Sequence, residues 1–405
     1  MDNSRPRLRR RGRRIAAIGG AASLLAIGGL LASGAFAGAA TSSSQQWMTS
    51  VSTPTSPGVG QTMTGTFGDS GVTATIQVVS GTNNDAWPRP SGPLAGANVD
   101  EFIEPDVPAD SASVLQGVVG DDAFTQVITF NKPVIAPILH VANLDSSFVS
   151  IGGRTTTGAP ISLSTLSKND EMDVTPDGDS TFLNRETSPA VVGGCQANDG
   201  SNPVGACGSF VLGGGPVQSF MIYNQHVDSG DGWVYSLSFP TASLTKSFDP
   251  STITEGDSGQ LSFFITNPVN VGQPDLSPLD FTDTLPAGVT MADSAFTTNG
   301  QCGTPSVTNP AGNALSAGDP GIRAANLSVA AGATCIITVN VTSSTAGTYT
   351  NDNSNLSTDI ANLVPDTSTD LVVVPVPLIS LLVGGASLAL GAGGLGLARR
   401  RTRVQ

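Results

Sequence analysis

Alternating runs of larger and smaller side chains, cut short repeatedly by Gly, Pro, Asn or Asp, run through most of this 405-residue chain. Val72, Ala74, Ile76 and Val78 alternate with Thr73, Thr75 and Gln77. Trp233, Tyr235, Leu237 and Phe239 alternate with Val234, Ser236 and Ser238. A period of two sends one set of side chains to one face of a pleated strand and the other set to the opposite face. Further strand candidates lie at 124–130, 137–144, 147–152, 160–166, 208–213 and 217–223. No segment between the two ends carries a long helical apolar stripe. Composition agrees, because 48 Gly and 27 Pro disfavour helix interiors. The expectation is an all-β chain of antiparallel sandwiches.

The alternation resets near residue 241, just after Pro240. A second set begins there, with Leu261, Phe263 and Ile265 and later Ile337, Val339 and Val341. The predicted organisation is a signal peptide over 1–37, a Ser/Thr/Gly/Pro-rich linker over 38–65 and a jelly-roll-like β-sandwich over 66–240. An Ig-like sandwich over 241–360, a stalk over 361–377, a transmembrane helix over 378–398 and a basic tail over 399–405 complete it.

Charge marks the two ends. Seven of the 18 basic residues fall within the first fourteen positions and four more within 399–403. Between them stand seven basic residues against 31 acidic ones, a balance of −24 that repels phosphate backbones and argues against a nucleic-acid partner. The basic start, the apolar run Ile15 to Leu31 and Ala35-Phe36-Ala37 have the layout of a secretory signal. Leu378 to Ala398 is an uncharged stretch of 21 residues, about 31 Å long as a helix and sufficient to cross a bilayer core. Arg399, Arg400, Arg401 and Arg403 follow it, which predicts a cytoplasmic tail and an outward-facing acidic middle.

The stretches LTKSFDPSTITEGDSGQLSFFITNP, FTDTLPAGVTM and LSVAAGATCIITVNVTSSTAGTYTN, together with a Cys pair, make residues 243–359 resemble the prealbumin-like or Ig-like repeat domains of unknown function in bacterial surface proteins. That resemblance implies an extracellular structural or adhesive module and brings no catalytic residues with it. VITFNKPVIAPILHVANLD and GDGWVYSLSF give 66–240 a weaker resemblance to the amino-terminal β-domains of such proteins. The ending, with ValProValPro at 374–377, an apolar stretch and an Arg cluster, is similar to bacterial sorting signals but lacks an L-P-x-T-G site.

Four cysteines fall two to each proposed domain. Export and even number predict disulfides Cys195–Cys207 and Cys302–Cys335. Zinc is the alternative, although there is no C-x-x-C and His140 and His226 are the two histidines. His140 sits in an alternating run and reads as a sheet residue, and His226 as a loop residue near two acids. Two acidic clusters are candidate calcium sites: Asp170, Glu171, Asp173, Asp177 and Asp179, and separately Asp228 and Asp231. Calcium takes six to eight oxygen ligands, which carboxylates and loop carbonyls supply, yet neither cluster has EF-hand spacing. Solvated acidic loops are the competing reading, and no other cofactor is expected. Trp87, in DAWPRP, is the candidate exposed aromatic for stacking on a sugar.

No nucleophile elbow, P-loop or H-E-x-x-H motif occurs, so no enzyme is expected. The function expected is that of an exported, membrane-anchored bacterial surface protein with a structural or adhesive role. Its partner would be an envelope polymer, a glycan or another surface protein. A lectin-like carbohydrate-binding module is the first alternative and a secreted hydrolase with an unrecognised site the second.

Overall fold

The computed structural model describes residues 45–56, 58–68, 70–81, 87–92, 94, 103–116, 123–144, 147–185, 205–226, 233–269 and 273–376. Among them the structure is all-β, with one short 3-10 turn at Asn353–Asn355. No described helix is long and apolar enough to cross a membrane, and 378–398 lies outside the described residues. So do residues 1–37, expected from the sequence to be a signal peptide, and residues 399–405, expected to be a basic tail.

The first set of strands forms two layers joined through Gln45–Val51. Residues 45–47 of that strand pair with Trp233–Pro240, and residues 48–51 pair with Thr62–Phe67. The register shifts between Met48 and Ser50, where the strand changes partner, as expected of a strand that turns a sandwich corner. On one side the order continues Thr62–Phe67, Val72–Gly81, Ala123–Ile135, Pro216–His226, Ser147–Gly152, Ser180–Arg185, Met172–Asp177. On the other it runs Trp233–Pro240, Ile138–Leu144, Ala206–Gly213, Ser162–Lys168. Ser113–Gln116 and Arg89–Ser91 are added beside Trp233.

The alternation that predicted these strands sets their inner faces. Val72, Ala74, Ile76 and Val78 are all buried while Thr75 and Gln77 are exposed. Phe67 and Phe239, from strands on opposite sides of the corner, meet at 5.2 Å between ring centroids. Full burial of such a side chain contributes roughly 1.5–3 kcal/mol. Polar tips within this core are satisfied: Trp233 Nε1 donates to Asn224 Oδ1 at 2.8 Å, and the Tyr235 hydroxyl to Gln126 Oε1 at 2.8 Å.

The second set of strands begins at Ala242. One sheet has the order Thr290–Thr298, Thr334–Thr342, Ser258–Thr266, Ala242–Asp249, Leu363–Pro365. A second holds Gly303–Thr308, Gly321–Val329, Leu276–Thr284 and Leu356–Ser357, and a third Thr252–Thr254, Ser368–Val374 and Gly347–Asp352. Two pairings are parallel, Ala242–Leu244 with Leu363–Pro365 and Thr252–Thr254 with Val372–Val374. Cys335 lies in the first of these sheets and Cys302 just before a strand of the second, and their disulfide ties the two.

Two expectations need correction. The segment 38–65 is not a linker throughout, because Gln45–Val51 and most of Thr62–Phe67 fall inside it, with Met48, Met63 and Phe67 buried. Residues 361–377 are not a stalk. Leu363–Pro365 and Ser368–Val374 complete the second set of sheets, and Leu363, Leu371 and Val373 enter its core. The two cores also interlock, since Ile135 and Ala136 pack into the second and Ala361 into the first.

Candidate functional site

Lys246 occupies the inward parity of its strand. Ala242, Leu244 and Phe248 share that face and are buried, and so is Lys246. Among the described residues it is the sole buried Lys or Arg. Asp283 holds the same position on Leu276–Thr284, following inward Leu279 and Phe281. Asn351 is the buried residue of Gly347–Asp352. Three sheets therefore each send one polar group into the same apolar interior.

The three groups meet in a closed triangle. Lys246 Nζ donates to Asp283 Oδ2 at 2.8 Å and to Asn351 Oδ1. Asn351 Nδ2 donates to Asp283 Oδ1 at 2.9 Å. The carboxylate thus reaches the amine with one oxygen and the carboxamide nitrogen with the other. Turning the carboxamide over would set NH2 against the amine and its oxygen against the carboxylate, so the amide orientation is fixed by charge. Nζ also donates to the Asp352 carbonyl at 3.0 Å. Asp352 is held in turn by Ser354, whose N–H and hydroxyl both donate to Oδ1.

Both side chains of the Lys246–Asp283 pair have 0% exposure. Burial pushes the Lys246 ammonium below its ordinary range, opposed by the adjacent Asp283 charge. Burial pushes the Asp283 carboxyl up, opposed by Lys246 and by the hydrogen bond from Asn351. Both shifts favour the neutral amine beside the neutral acid. A buried pair of this kind is a weak source of stability, because desolvation offsets most of the attraction. Gly321 gives the neighbouring strand its close approach: a Cβ there would lie 2.0 Å from the Asp283 carbonyl oxygen.

Composition and motif reasoning missed this triangle. Its signal was present, since Lys246, Asp283 and Asn351 all lie in the stretches that carry the family resemblance. Lys246 and Asp283 break runs of apolar residues at inward parity, which is where a charge is costly.

The residues singled out from the sequence are more scattered. Asp173 and Asp177 are exposed on one strand, and Asp179 in the next turn pairs with Arg154 at 2.6 Å. Asp170 precedes them in a turn. Among the described residues no three His, Cys, Asp or Glu side chains are grouped to hold a metal ion. Asp228 and Asp231 lie outside the described residues.

Cys302 and Cys335 are bonded as expected. Cys207 is buried and disulfide-bonded, and Cys195 lies outside the described residues. Trp87 is half-buried, and a Cβ added at Gly81 would meet the edge of its ring at 3.1 Å. His140 is a buried sheet residue, its ring nitrogens bonded to the Ser209 and Ser238 hydroxyls at 2.8 and 2.7 Å. Trp47 stacks on it with ring centroids 4.2 Å apart. Burial pulls the His140 pKa down to about 3.

An all-β chain with a polar triangle in its second core is the class that these observations define. Residues 242–374 match the family described as "Domain of unknown function (DUF7933)", about a third of the chain. No curated protein matches. Among solved structures, the N-terminal domain of the Streptococcus gordonii adhesin Sgo0707 is similar at 11% identity and a TM-score of 0.38, over 83% of this chain and 93% of that one. The type II cohesin dyad from the adaptor ScaA scaffoldin of Acetivibrio cellulolyticus aligns at 7% identity and a TM-score of 0.20, over 63% and 95%. The C-terminal domain of the Streptococcus agalactiae AgI/II polypeptide BspA aligns at 11% and 0.20, over 63% and 94%. At such scores these likenesses carry no inference about function.

Proposed function

We propose that this chain is an exported bacterial cell-surface protein with a structural or adhesive role. A jelly-roll-like sandwich and an Ig-like one are held outside by a helix over 378–398, with 399–405 in the cytoplasm. The observation that carries this reading is the Cys302–Cys335 disulfide, because such bonds persist in oxidising compartments and are rare in the cytosol. The acidic middle and the basic residues behind the apolar stretch support it. The role is binding rather than turnover, without a cofactor, toward an envelope polymer, a glycan or another surface protein.

Protease treatment of intact cells tests the location. Loss of an epitope placed in the second sandwich, with a tag after residue 405 left in the membrane fraction, is the expected result. An epitope protected until the cells are lysed would overturn the reading. A lectin-like role is the second reading, supported by the partial exposure of Trp87. It expects glycan-array binding that Trp87→Ala abolishes, and a silent array removes it.

A further inference from the structure

The buried triangle contains a nucleophile, an acyl group and a proton carrier in mutual contact. We propose that Lys246 and Asn351 become covalently joined within the chain, Nζ forming an amide with Cγ of Asn351 and ammonia leaving, with Asp283 as the catalytic residue that moves the protons. The inference is independent of where the protein resides. It goes beyond the surface role by assigning a self-modification site.

The geometry carries each requirement. Nζ is hydrogen-bonded to Asn351 Oδ1, and the carbon to be attacked is one bond further on. The Asp283 carboxylate spans the attacking and leaving nitrogens, Oδ2 at 2.8 Å from Nζ and Oδ1 at 2.9 Å from Nδ2. The contact from Nζ to the Asp352 carbonyl fixes a further direction around the amine. Fully buried side chains exclude bulk water, which would otherwise compete for the acyl carbon. Holding both reactants in one core also removes the entropic cost of bringing them together.

The step balances without an oxidant, a reductant, water or a cofactor. The Lys246 ammonium passes a proton to Asp283, and the freed lone pair attacks Cγ. The carbonyl electron pair moves onto Oδ1 and returns as the Cγ–Nδ2 bond breaks. In all, the attacking nitrogen gives up two protons. One reaches Nδ2 through Asp283, so that the leaving group departs as neutral ammonia. The other stays on the Asp283 carboxyl. Three buried groups carrying a charge pair become a neutral amide beside a neutral acid, which relieves the desolvation cost of the ion pair. The shifts of Lys246 and Asp283 toward their neutral forms point the same way.

Peptide mapping of the full chain, independent of how its ends are processed, tests the proposal. After reduction, trypsin together with a protease cutting after Asp and Glu, which spares the Asp249–Pro250 bond, yields residues 232–255 and 324–352. The expected product is one branched species, uncut after Lys246 and lighter than the two peptides combined by one ammonia, the same deficit that the intact chain shows. Peptides cut after Lys246, with 324–352 free, would overturn the proposal on the wild type alone. Lys246→Ala and Asn351→Ala are expected to abolish the branched species. Asp283→Ala is expected to leave the peptides unlinked while the Cys302–Cys335 disulfide still forms. Linkage in Asp283→Ala at the wild-type yield would overturn the role of Asp283.

Discussion

Asn362, from the second sandwich, clasps both backbone groups of Ile135 in the first. Its Oδ1 accepts from the Ile135 N–H at 2.6 Å and its Nδ2 donates to the Ile135 carbonyl at 2.8 Å. The same Nδ2 donates to the Pro240 carbonyl at 2.7 Å, and the Asn362 carbonyl accepts from the Ala242 N–H at 2.8 Å. One buried side chain thus joins the chain crossing between the sandwiches to the end of a strand in the first.

Asn362→Ala leaves buried backbone groups of Ile135 and Pro240 without these partners. Each orphaned group costs about 1–3 kcal/mol. A lower urea midpoint and faster proteolytic cutting near Pro240 are expected. An unchanged midpoint with unchanged cutting would show that the clasp contributes nothing to the joint.

His140 makes stability depend on pH. Its pKa falls from 6.5 to about 3 on burial, so the folded state keeps it neutral while the unfolded chain takes up a proton. Stability is complete above pH 6.5 and is lost as pH falls from there toward 3. Between pH 7 and 5 the loss is about 2 kcal/mol. Urea titrations at both pH values should show that loss in the wild type and a smaller one in His140→Asn. Equal losses would mean that His140 does not carry the effect.

The Cys302–Cys335 bond closes a separation of 33 residues. By loop-closure entropy, replacing both by Ser should cost about 4 kcal/mol. Chemical unfolding of the double variant against the oxidised wild type measures it, and a difference under 1 kcal/mol would contradict an entropic account.

Gly321→Ala puts a methyl group against the Asp283 carbonyl, with no flexible side chain there to yield. The strand Leu276–Thr284 must move, at a cost of about 3 kcal/mol. Lower stability and less linked Lys246–Asn351 peptide are expected together. A variant as stable as the wild type would show that the close approach is dispensable.

The strand content was legible because alternation is a local property: Val72 to Val78 and Trp233 to Phe239 show their inner faces in the order of letters alone. Partners are not local. Gln45–Val51 reads as a polar, Ser/Thr-flanked segment, and only its pairing with Trp233–Pro240 and Thr62–Phe67 makes it a corner. Ser368–Val374 has alternating Leu371 and Val373, but flanking prolines and the nearby apolar stretch gave it the look of a spacer. The triangle was least legible. Lys246, Asp283 and Asn351 are separated by 37 and 68 residues, and nothing short of the three-sheet arrangement brings them together.

The parallel pairings of the second sandwich decide how it would bear a load. Ala242–Leu244 lies beside Leu363–Pro365, and Thr252–Thr254 beside Val372–Val374, each in the same direction. A pull applied through the first sandwich at Ala242 and through the chain beyond Val374 draws such neighbours past one another lengthwise. Their hydrogen bonds are then strained together in shear and do not open singly as in peeling. A segment that reads as a spacer is instead paired where such a pull would load it in shear.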